Sequence, residues 1–144
     1  MRVVRITALL LAGALIGSRG QAQSKSPDDA AVRAVVERYP HGLKFNDVES
    51  FRVAFWPDAK LMFIKRDGTL GRLTQTDWYT GFEKVAGKEE QGDLRIDALD
   101  ISGNAASVKV TEVYPKEVYI DYLNLLRIGS EWRIVNKIYT SHPQ

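Results

Sequence analysis

The most regular hydrophobic pattern in the chain lies between residues 95 and 139. Apolar and polar residues alternate there in four segments, a period of two that is typical of β-strands. Three residue pairs separate the segments and are typical of two-residue turns: Gly103 with Asn104, Pro115 with Lys116, and Gly129 with Ser130. The pattern predicts a meander of four antiparallel strands.

Two-residue turns predict the register, because residue pairs step outward from each turn along both strands. Val108 then pairs with Leu99 and with Leu123, and Leu125 pairs with Ile134. All three turns place apolar residues on the same face, which we expect to be the core face: Leu99, Ile101, Ala106, Val108, Val110, Leu123, Leu125, Trp132, Ile134 and Ile138. A shift of one residue would scatter this set over both faces, so the agreement favours the register.

Polar residues interrupt this core face at one end of the predicted sheet. Asp97 and Asp121 fall in one row on either side of Val110, and Asn136 pairs with Leu123. The next row outward holds three more polar side chains: Arg95, Glu112 and Tyr119. Because unpaired buried carboxylates cost free energy, the pattern predicts a wet cavity mouth, a binding partner or a functional site at this end.

The opposite face is too apolar to lie wholly in water. It carries these residues, with Lys137 among its polar ones: Ile96, Ala98, Val113, Val118, Ile120, Tyr122, Leu126, Val135 and Tyr139. We expect either the third helix or a second copy of the chain to cover this face. The homodimer hypothesis rests on four of its residues: Val118, Ile120, Tyr122 and Val135.

Upstream of the sheet the hydrophobic period changes to that of a helix. The stripe of the first helix, which Ser26 caps and Pro27 begins, consists of Val32, Val35, Val36, Tyr39 and Leu43. Pro40 has no amide hydrogen to donate to Val36, so we expect a kink or an end of the helix near Tyr39.

Three further elements are predicted between the first helix and the sheet. Asn46 or Asp47 caps a short second helix that runs to residue 55, and Trp56 with Pro57 stops it. A hairpin of residues 60–65 and 70–74 surrounds the turn at Asp67 and Gly68. Thr76 caps a third helix over residues 77–84, and residues 85–93 form a mobile loop.

The N-terminal segment has the layout of a secretory signal peptide. A basic start precedes an apolar run of twelve, residues 6–17, and the small residues Gly20 and Ala22 suit cleavage after position 22. Twelve helical residues span about 18 Å, short of the ~30 Å that a membrane anchor needs. We therefore expect export to the periplasm or the medium.

The predicted domain plan follows from this processing. A signal peptide at 1–22 and a linker at 23–27 precede one domain at 28–140 and a tail at 141–144. Removal of the leader takes away three arginines and leaves 17 basic and 18 acidic residues. We expect no nucleic-acid partner and no membrane partner after cleavage, because no basic patch remains.

The residue types available also limit the chemistry. The chain has no cysteine and two histidines, so we expect neither a disulfide nor a metal site. It has no glycine-rich phosphate loop and no nucleophile motif, and we expect no cofactor.

The order of elements, together with the Phe-Trp-Pro-Asp-Ala segment at 55–59, resembles the nuclear transport factor 2-like superfamily. The segments 119–128 and 132–139 resemble its putative lumazine-binding branch more narrowly. The resemblance implies an α+β fold of the cystatin-like type, a cone-shaped, curved antiparallel sheet packed against three helices around a pocket, often dimeric through the outer sheet face. Its members include isomerases, dehydratases, cyclases and binding proteins, so the fold implies no single activity.

Two functions stay open. The first is a non-catalytic binding protein for a small apolar or aromatic ligand, with these candidate residues: Trp56, Phe63, Trp78, Tyr79, Phe82, Asp97, Tyr119, Asp121 and Asn136. The alternative is an isomerase or dehydratase in which Asp121, alone or with Asp97, works as an acid or base and Tyr39 or Asn136 polarises the substrate. The same aromatic residues would also suit an ordinary core, and Asp97 would also suit a rim ion pair with Arg95.

Overall fold

The computed structural model describes residues 27–144, so the predicted signal peptide, most of the linker and the Ser26 cap lie outside the described residues. The elements in chain order are α1 (Pro27–Phe45), α2 (Val48–Ala54), β1 (Phe55–Ile64), β2 (Leu70–Leu73), α3 (Gln75–Glu83), β3 (Asp93–Ser102), β4 (Ala105–Tyr114), β5 (Glu117–Ile128) and β6 (Glu131–Pro143). This confirms the predicted α+β class and the four-stranded meander. No helix within 27–144 is long and apolar enough to cross a membrane.

The strands form one six-stranded sheet in the order β2-β1-β6-β5-β4-β3. Neighbouring strands are antiparallel, except that β1 runs parallel to β6, so the sheet is mixed. Residues of α1 and α2 pack with the inner residues of β4, β5 and β6 in one core. Trp78, Tyr79 and Phe82 of α3 join the same core, so all three helices contribute to it.

The predicted register is confirmed at the turn of Pro115 and Lys116. Val110 pairs with Asp121, and Val108 pairs with Leu123, as the two-residue turn requires. At the other two turns the register holds near the turn and then shifts by one residue. Each shift is a β-bulge, an extra residue that moves the side chains beyond it to the opposite face.

The bulge in β3 lies at Asp97 and corrects its predicted position. Ile96, not Asp97, pairs with Val110, which turns the apolar Ile96 towards the core. Asp97 reaches the outer face instead, where Thr111 donates a hydrogen bond of 2.5 Å to it and Arg95 donates one of 2.6 Å. Asp97 and Asp121 therefore lie on opposite faces and cannot form the predicted pair.

The bulge in β6 lies at Val135 and corrects the predictions for the residues that follow it. Leu125 pairs with Ile134 as predicted, but Leu123 pairs with Lys137. Asn136 turns to the outer face, where it accepts a hydrogen bond from Asn124. Ile138 also turns outward, while Lys137 and Tyr139 turn inward.

Helix α1 does not end near Tyr39, as predicted, but continues through Pro40 to Phe45. Proline removes one backbone hydrogen bond. The next turn is nevertheless buried, because Gly42 and Leu43 pack into the core. Burial of this turn outweighs the single lost hydrogen bond, and most helical stability in proteins comes from such packing.

The predicted turn at Trp56 and Pro57 is wrong, because both residues belong to β1. Helix α2 ends at Ala54, and β1 begins at the next residue. Pairing between β1 and β6 is interrupted between Phe55 and Lys60. Pro57 lies within this interruption, where its missing amide hydrogen breaks no ladder bond.

Helix α3 begins at Gln75, two residues earlier than predicted, and Thr74 rather than Thr76 caps it. The Thr74 hydroxyl accepts a hydrogen bond from the Asp77 amide at 3.1 Å and donates one to its carboxylate at 2.7 Å. This reciprocal cap satisfies helix-end groups that would otherwise lack partners. Of the two expected covers for the outer sheet face, α3 is ruled out, since its aromatic side chains pack into the core.

Two helical glycines provide a test of the core. A Cβ atom at Gly42 would lie 2.4 Å from the Phe51 ring, whereas one at Gly81 would meet no atom within 4 Å. We expect Gly42→Ala to lower the free energy of unfolding by about 1–3 kcal/mol through overpacking. Gly81→Ala is the control and should raise it by up to about 1 kcal/mol, because alanine is the better helix former.

Urea denaturation of both variants measures the difference. Equal effects of the two substitutions would contradict the packing of α1 on α2.

A candidate ligand cavity with a buried polar end

A cavity of about 840 Å³ opens between the C-terminal end of α1, helix α3, the segment 88–91 and the ends of β4, β5 and β6. The residues that line it are Leu43, Asn46, Trp78, Phe82, Lys88, Glu89, Glu90, Gln91, Glu112, Tyr114, Pro115, Lys116, Glu117, Tyr119, Lys137 and Tyr139. Its volume lies in the range of small-molecule sites. We take this cavity as the candidate site.

Aromatic rings form the walls of the cavity. Trp78 and Phe82 come from α3, with ring centroids 5.1 Å apart in an edge-to-face arrangement. Tyr119 lies between Tyr114 and Tyr139 on the sheet side, at 5.9 and 6.4 Å between ring centroids. Walls of this kind can stack against a flat ring and present a hydroxyl to it at the same time.

Four polar side chains meet at the inner end of the cavity, and we call them the buried tetrad: Tyr39, Glu112, Asp121 and Lys137. Lys137 Nζ lies 2.8 Å from Asp121 Oδ2 and also donates to the Tyr39 hydroxyl. The Tyr39 hydroxyl lies within hydrogen-bond distance of Asp121 Oδ2, and 2.8 Å from Glu112 Oε1. All four residues are at most 5% exposed. Glu112 and Lys137 line the cavity, whereas Tyr39 and Asp121 lie behind them.

The charges of the tetrad explain its protonation. Two ionised carboxylates beside one lysine would leave a buried negative charge, which is costly. Burial, followed by the hydrogen bond with Asp121, raises the pKa of Glu112 from 4.5 to about 8. A proton on Glu112 can satisfy Asp121 Oδ1, which has no other hydrogen-bond partner within residues 27–144. At neutral pH the tetrad then holds a carboxylic acid next to a lysine–aspartate ion pair.

Tyr39 stays neutral in this environment. Burial, and then the negative charges of Glu112 and Asp121, raise the pKa of its hydroxyl well above 10. It can therefore donate to a carboxylate and accept from Lys137 at the same time. Tyr39 links the four groups into one hydrogen-bonded network.

Lys137 lies in a cage of aromatic rings. Its ammonium is 4.8 Å from the ring centres of Tyr39 and Tyr139 and 5.4 Å from that of Trp78. Such contacts stabilise a desolvated cation. Within the described chain, two of its three N–H groups have partners, which leaves one for a molecule in the cavity.

The predicted mobile loop spans 85–93, but β3 begins at Asp93 and the segment before it is tied to the end of α1. Asn46 has a φ of 52° and donates from its amide to the Lys88 carbonyl at 2.7 Å and to Glu90 at 3.2 Å. Two backbone bonds add to this, from Gly87 to the Phe45 carbonyl and from Glu90 to the Lys44 carbonyl. These contacts hold one wall of the cavity mouth in place.

The predicted site residues fall into four groups. Trp78, Phe82 and Tyr119 line the cavity, and Asp121 with Tyr39 lies directly behind its polar end. Asp97 and Asn136 are on the outer face because of the two bulges.

The remaining three predicted aromatics do not line this cavity. Trp56 is 39% exposed, and Phe63 stacks on Tyr139 at 5.0 Å. Tyr79 is buried and donates to Gln75 at 2.9 Å. Burial raises the pKa of its hydroxyl to about 12.

Sequence reasoning assigned no binding role to four cavity residues: Glu112, Tyr114, Lys137 and Tyr139. The role of Glu112 could have been predicted, since the confirmed register places it on the inner face next to the row of Asp121. Lys137 and Tyr139 had none, because the bulge in β6 reverses their direction. Within the described residues, no group of three or more acidic or histidine side chains could hold a metal ion.

Comparison with known proteins gives the family. The profile of the family described as "Putative lumazine-binding" matches residues 27–140. The chain belongs to this family. Its fold is therefore nuclear transport factor 2-like, and it is a small-molecule-binding protein of that fold. A search of curated proteins found no significant match.

Solved structures share the fold. An NTF2-like protein of unknown function from Shewanella baltica OS155 is 25% identical, with a TM-score of 0.76 over 84% of this chain and 98% of that one. An NTF2-like protein of unknown function from Silicibacter pomeroyi DSS-3 is 24% identical, with a TM-score of 0.69 over 78% and 94%. A ketosteroid isomerase-like protein from Erwinia carotovora atroseptica SCRI1043, at 14% identity and a TM-score of 0.62 over 81% and 97%, shares the fold.

Proposed function

We propose that the protein is an exported, non-catalytic binding protein that holds a small, flat aromatic ligand in the cavity. The supporting observation is the combination of aromatic walls with one polar end. Trp78 and Tyr119 offer ring faces, and Lys137 offers a free N–H group at the inner end. A ligand with a ring system and a carbonyl or ring-nitrogen acceptor matches both features.

The geometry favours binding over the isomerase or dehydratase alternative. A general base must reach the proton that it removes, within about 3 Å or through one water molecule. Asp121 is fully buried, is paired with Lys137 and does not line the cavity. Of the two carboxyl groups in the buried tetrad, only that of Glu112 lines the cavity. Because its pKa is raised, Glu112 is protonated at neutral pH and is an acid rather than a base.

Intrinsic fluorescence tests the binding proposal. Lumazine is a suitable first probe because the family description names it. We expect lumazine or a related bicyclic heterocycle to quench the emission of Trp78 in a saturable manner, because the ring would stack beside it. Trp78→Phe should remove most of the quenching. Trp56→Phe is the matched control and should retain it, since Trp56 lies outside the cavity.

If Trp56→Phe removed the quenching and Trp78→Phe retained it, the proposed site would be overturned. A panel of bicyclic heterocycles that neither quenches nor shifts the melting temperature would overturn the proposed ligand class.

The proposal includes export and a homodimer. Export rests on the predicted leader at 1–22, and mass spectrometry of the secreted fraction should find a chain that begins at residue 23. The homodimer rests on the apolar outer face. Its predicted residues Val118, Ile120 and Tyr122 lie there on β5, while Val135 sits in the β6 bulge. Tyr122, Leu126 and Ile138 are each more than 40% exposed.

We expect Tyr122→Glu to convert a dimer into a monomer, because the charge would be buried in the interface. Light scattering on the wild type and the variant measures the mass. A wild-type monomer at high concentration would contradict the dimer.

A further inference from the structure

Lys137 carries a primary amine at the inner end of the aromatic cavity. Besides donating a hydrogen bond, such an amine can form a covalent bond with a carbonyl compound. We propose that Lys137 captures an aromatic aldehyde or ketone as a reversible iminium, a Schiff base. This inference rests on the proposed function, because the carbonyl compound must first enter the same cavity. Lysine is the side chain that forms Schiff bases with carbonyl substrates.

The amine is reachable and is held in place. Its side chain is 7% exposed, and Lys137 lines the cavity. Asp121 and Tyr39 bind two of its N–H groups, so the third is the one left for a molecule in the cavity. A carbonyl whose ring stacks beside Trp78 would place its carbon near this nitrogen.

The tetrad supplies a donor and an acceptor for each proton transfer. Asp121 takes one proton from the ammonium at 2.8 Å. The amine then forms a C–N bond with the carbonyl carbon, and the oxygen becomes a hydroxyl with the proton of Glu112. The nitrogen returns a proton to Glu112. The nitrogen lone pair finally expels the hydroxyl, which leaves as water with the proton of Glu112, and Asp121 then passes its proton to Glu112.

The products balance the reactants. The ammonium and the carbonyl become an iminium and water, and both carboxyl groups end in their starting protonation states. The positive charge stays next to Asp121 and within the cage of Tyr39, Trp78 and Tyr139. The tetrad therefore accommodates the iminium as it accommodates the ammonium, without a new buried charge.

Reductive trapping of the full chain tests the proposal. The probe is 2-naphthaldehyde with sodium cyanoborohydride, followed by intact-mass measurement and peptide mapping. We expect one naphthylmethyl group per chain, located at Lys137. Lys137→Arg keeps the positive charge but has no primary amine, and should lower the single-site labelling at least roughly tenfold. Lys65→Arg, on an exposed turn outside the cavity, is the control and should leave it unchanged.

A second probe separates this inference from the proposed function. 2-Naphthalenemethanol has the same rings but no carbonyl, and it should compete with the aldehyde and quench Trp78 without labelling. If both compounds quench Trp78 and the aldehyde labels only surface lysines outside the cavity, such as Lys65 and Lys84, the iminium is overturned and the binding site stands. If neither compound quenches Trp78 and labelling is equal in wild type and Lys137→Arg, both proposals fail. Circular dichroism of Lys137→Arg confirms that the variant is folded in either case.

Discussion

Lys137→Met lowers the free energy of unfolding by about 3–5 kcal/mol, because it leaves Asp121 buried without a countercharge. Asp121 is fully buried, and Lys137 is its ion-pair partner at 2.8 Å. Removal of one partner of a buried pair costs more than removal of both. The double variant Asp121→Asn with Lys137→Met should therefore recover more than half of the loss.

Chemical denaturation at pH 7 measures this effect. Lys65→Met, at an exposed position, is the matched control and should change stability by no more than about 0.5 kcal/mol. A Lys137→Met variant as stable as Lys65→Met would show that the β6 bulge does not turn Lys137 inward.

Glu112→Gln makes the protein more stable than the wild type at pH 9 and leaves it nearly unchanged at pH 4.5. The pKa of Glu112 is raised from 4.5 to about 8 on folding, mainly by burial. Between these values the folded protein binds a proton that the unfolded chain does not. Wild-type stability from this group is therefore fully present below pH 4.5 and falls by about 1.4 kcal/mol per pH unit until pH 8. Glutamine imitates the protonated acid and does not titrate.

The difference between the two unfolding free energies isolates this group, since other titrations cancel in it. It should grow from pH 4.5 to 8 and then stay constant. Glu83→Gln, at an exposed position, is the control and should follow the wild type. A difference that is constant from pH 4.5 to 9 would mean that Glu112 is ionised in the folded protein.

The fold could be predicted from the sequence wherever a turn lies close by. The turn of Pro115 and Lys116 determines pairs at least as far as Val108 with Leu123, and every one of them is confirmed. No residue pattern near a bulge marks its position, as turn residues mark a turn. A bulge forms where shifting the strand by one residue buries more apolar side chains. The apolar Ile96 turns inward where the polar Asp97 was predicted, and the bulge at Val135 does the reverse for Ile138.

The candidate site was harder to predict for the same reason. Its aromatic wall residues Trp78, Phe82 and Tyr119 could be proposed from composition and spacing alone. Its chemistry could not, because Lys137 reaches Asp121 only through the one-residue shift in β6. The alternating pattern assigns Lys137 to the outer face. Its burial on the inner face is possible only because Asp121 supplies the opposite charge.

A crystal structure with the strongest ligand from the heterocycle panel tests the central claim most directly. The claim is that the cavity between α3 and the sheet is the binding site and that the buried tetrad forms its polar end. We predict a ring stacked against Trp78 with one acceptor atom within about 3.2 Å of Lys137 Nζ. A ligand bound on the outer sheet face, or anywhere that leaves this cavity filled only with water, would contradict the claim.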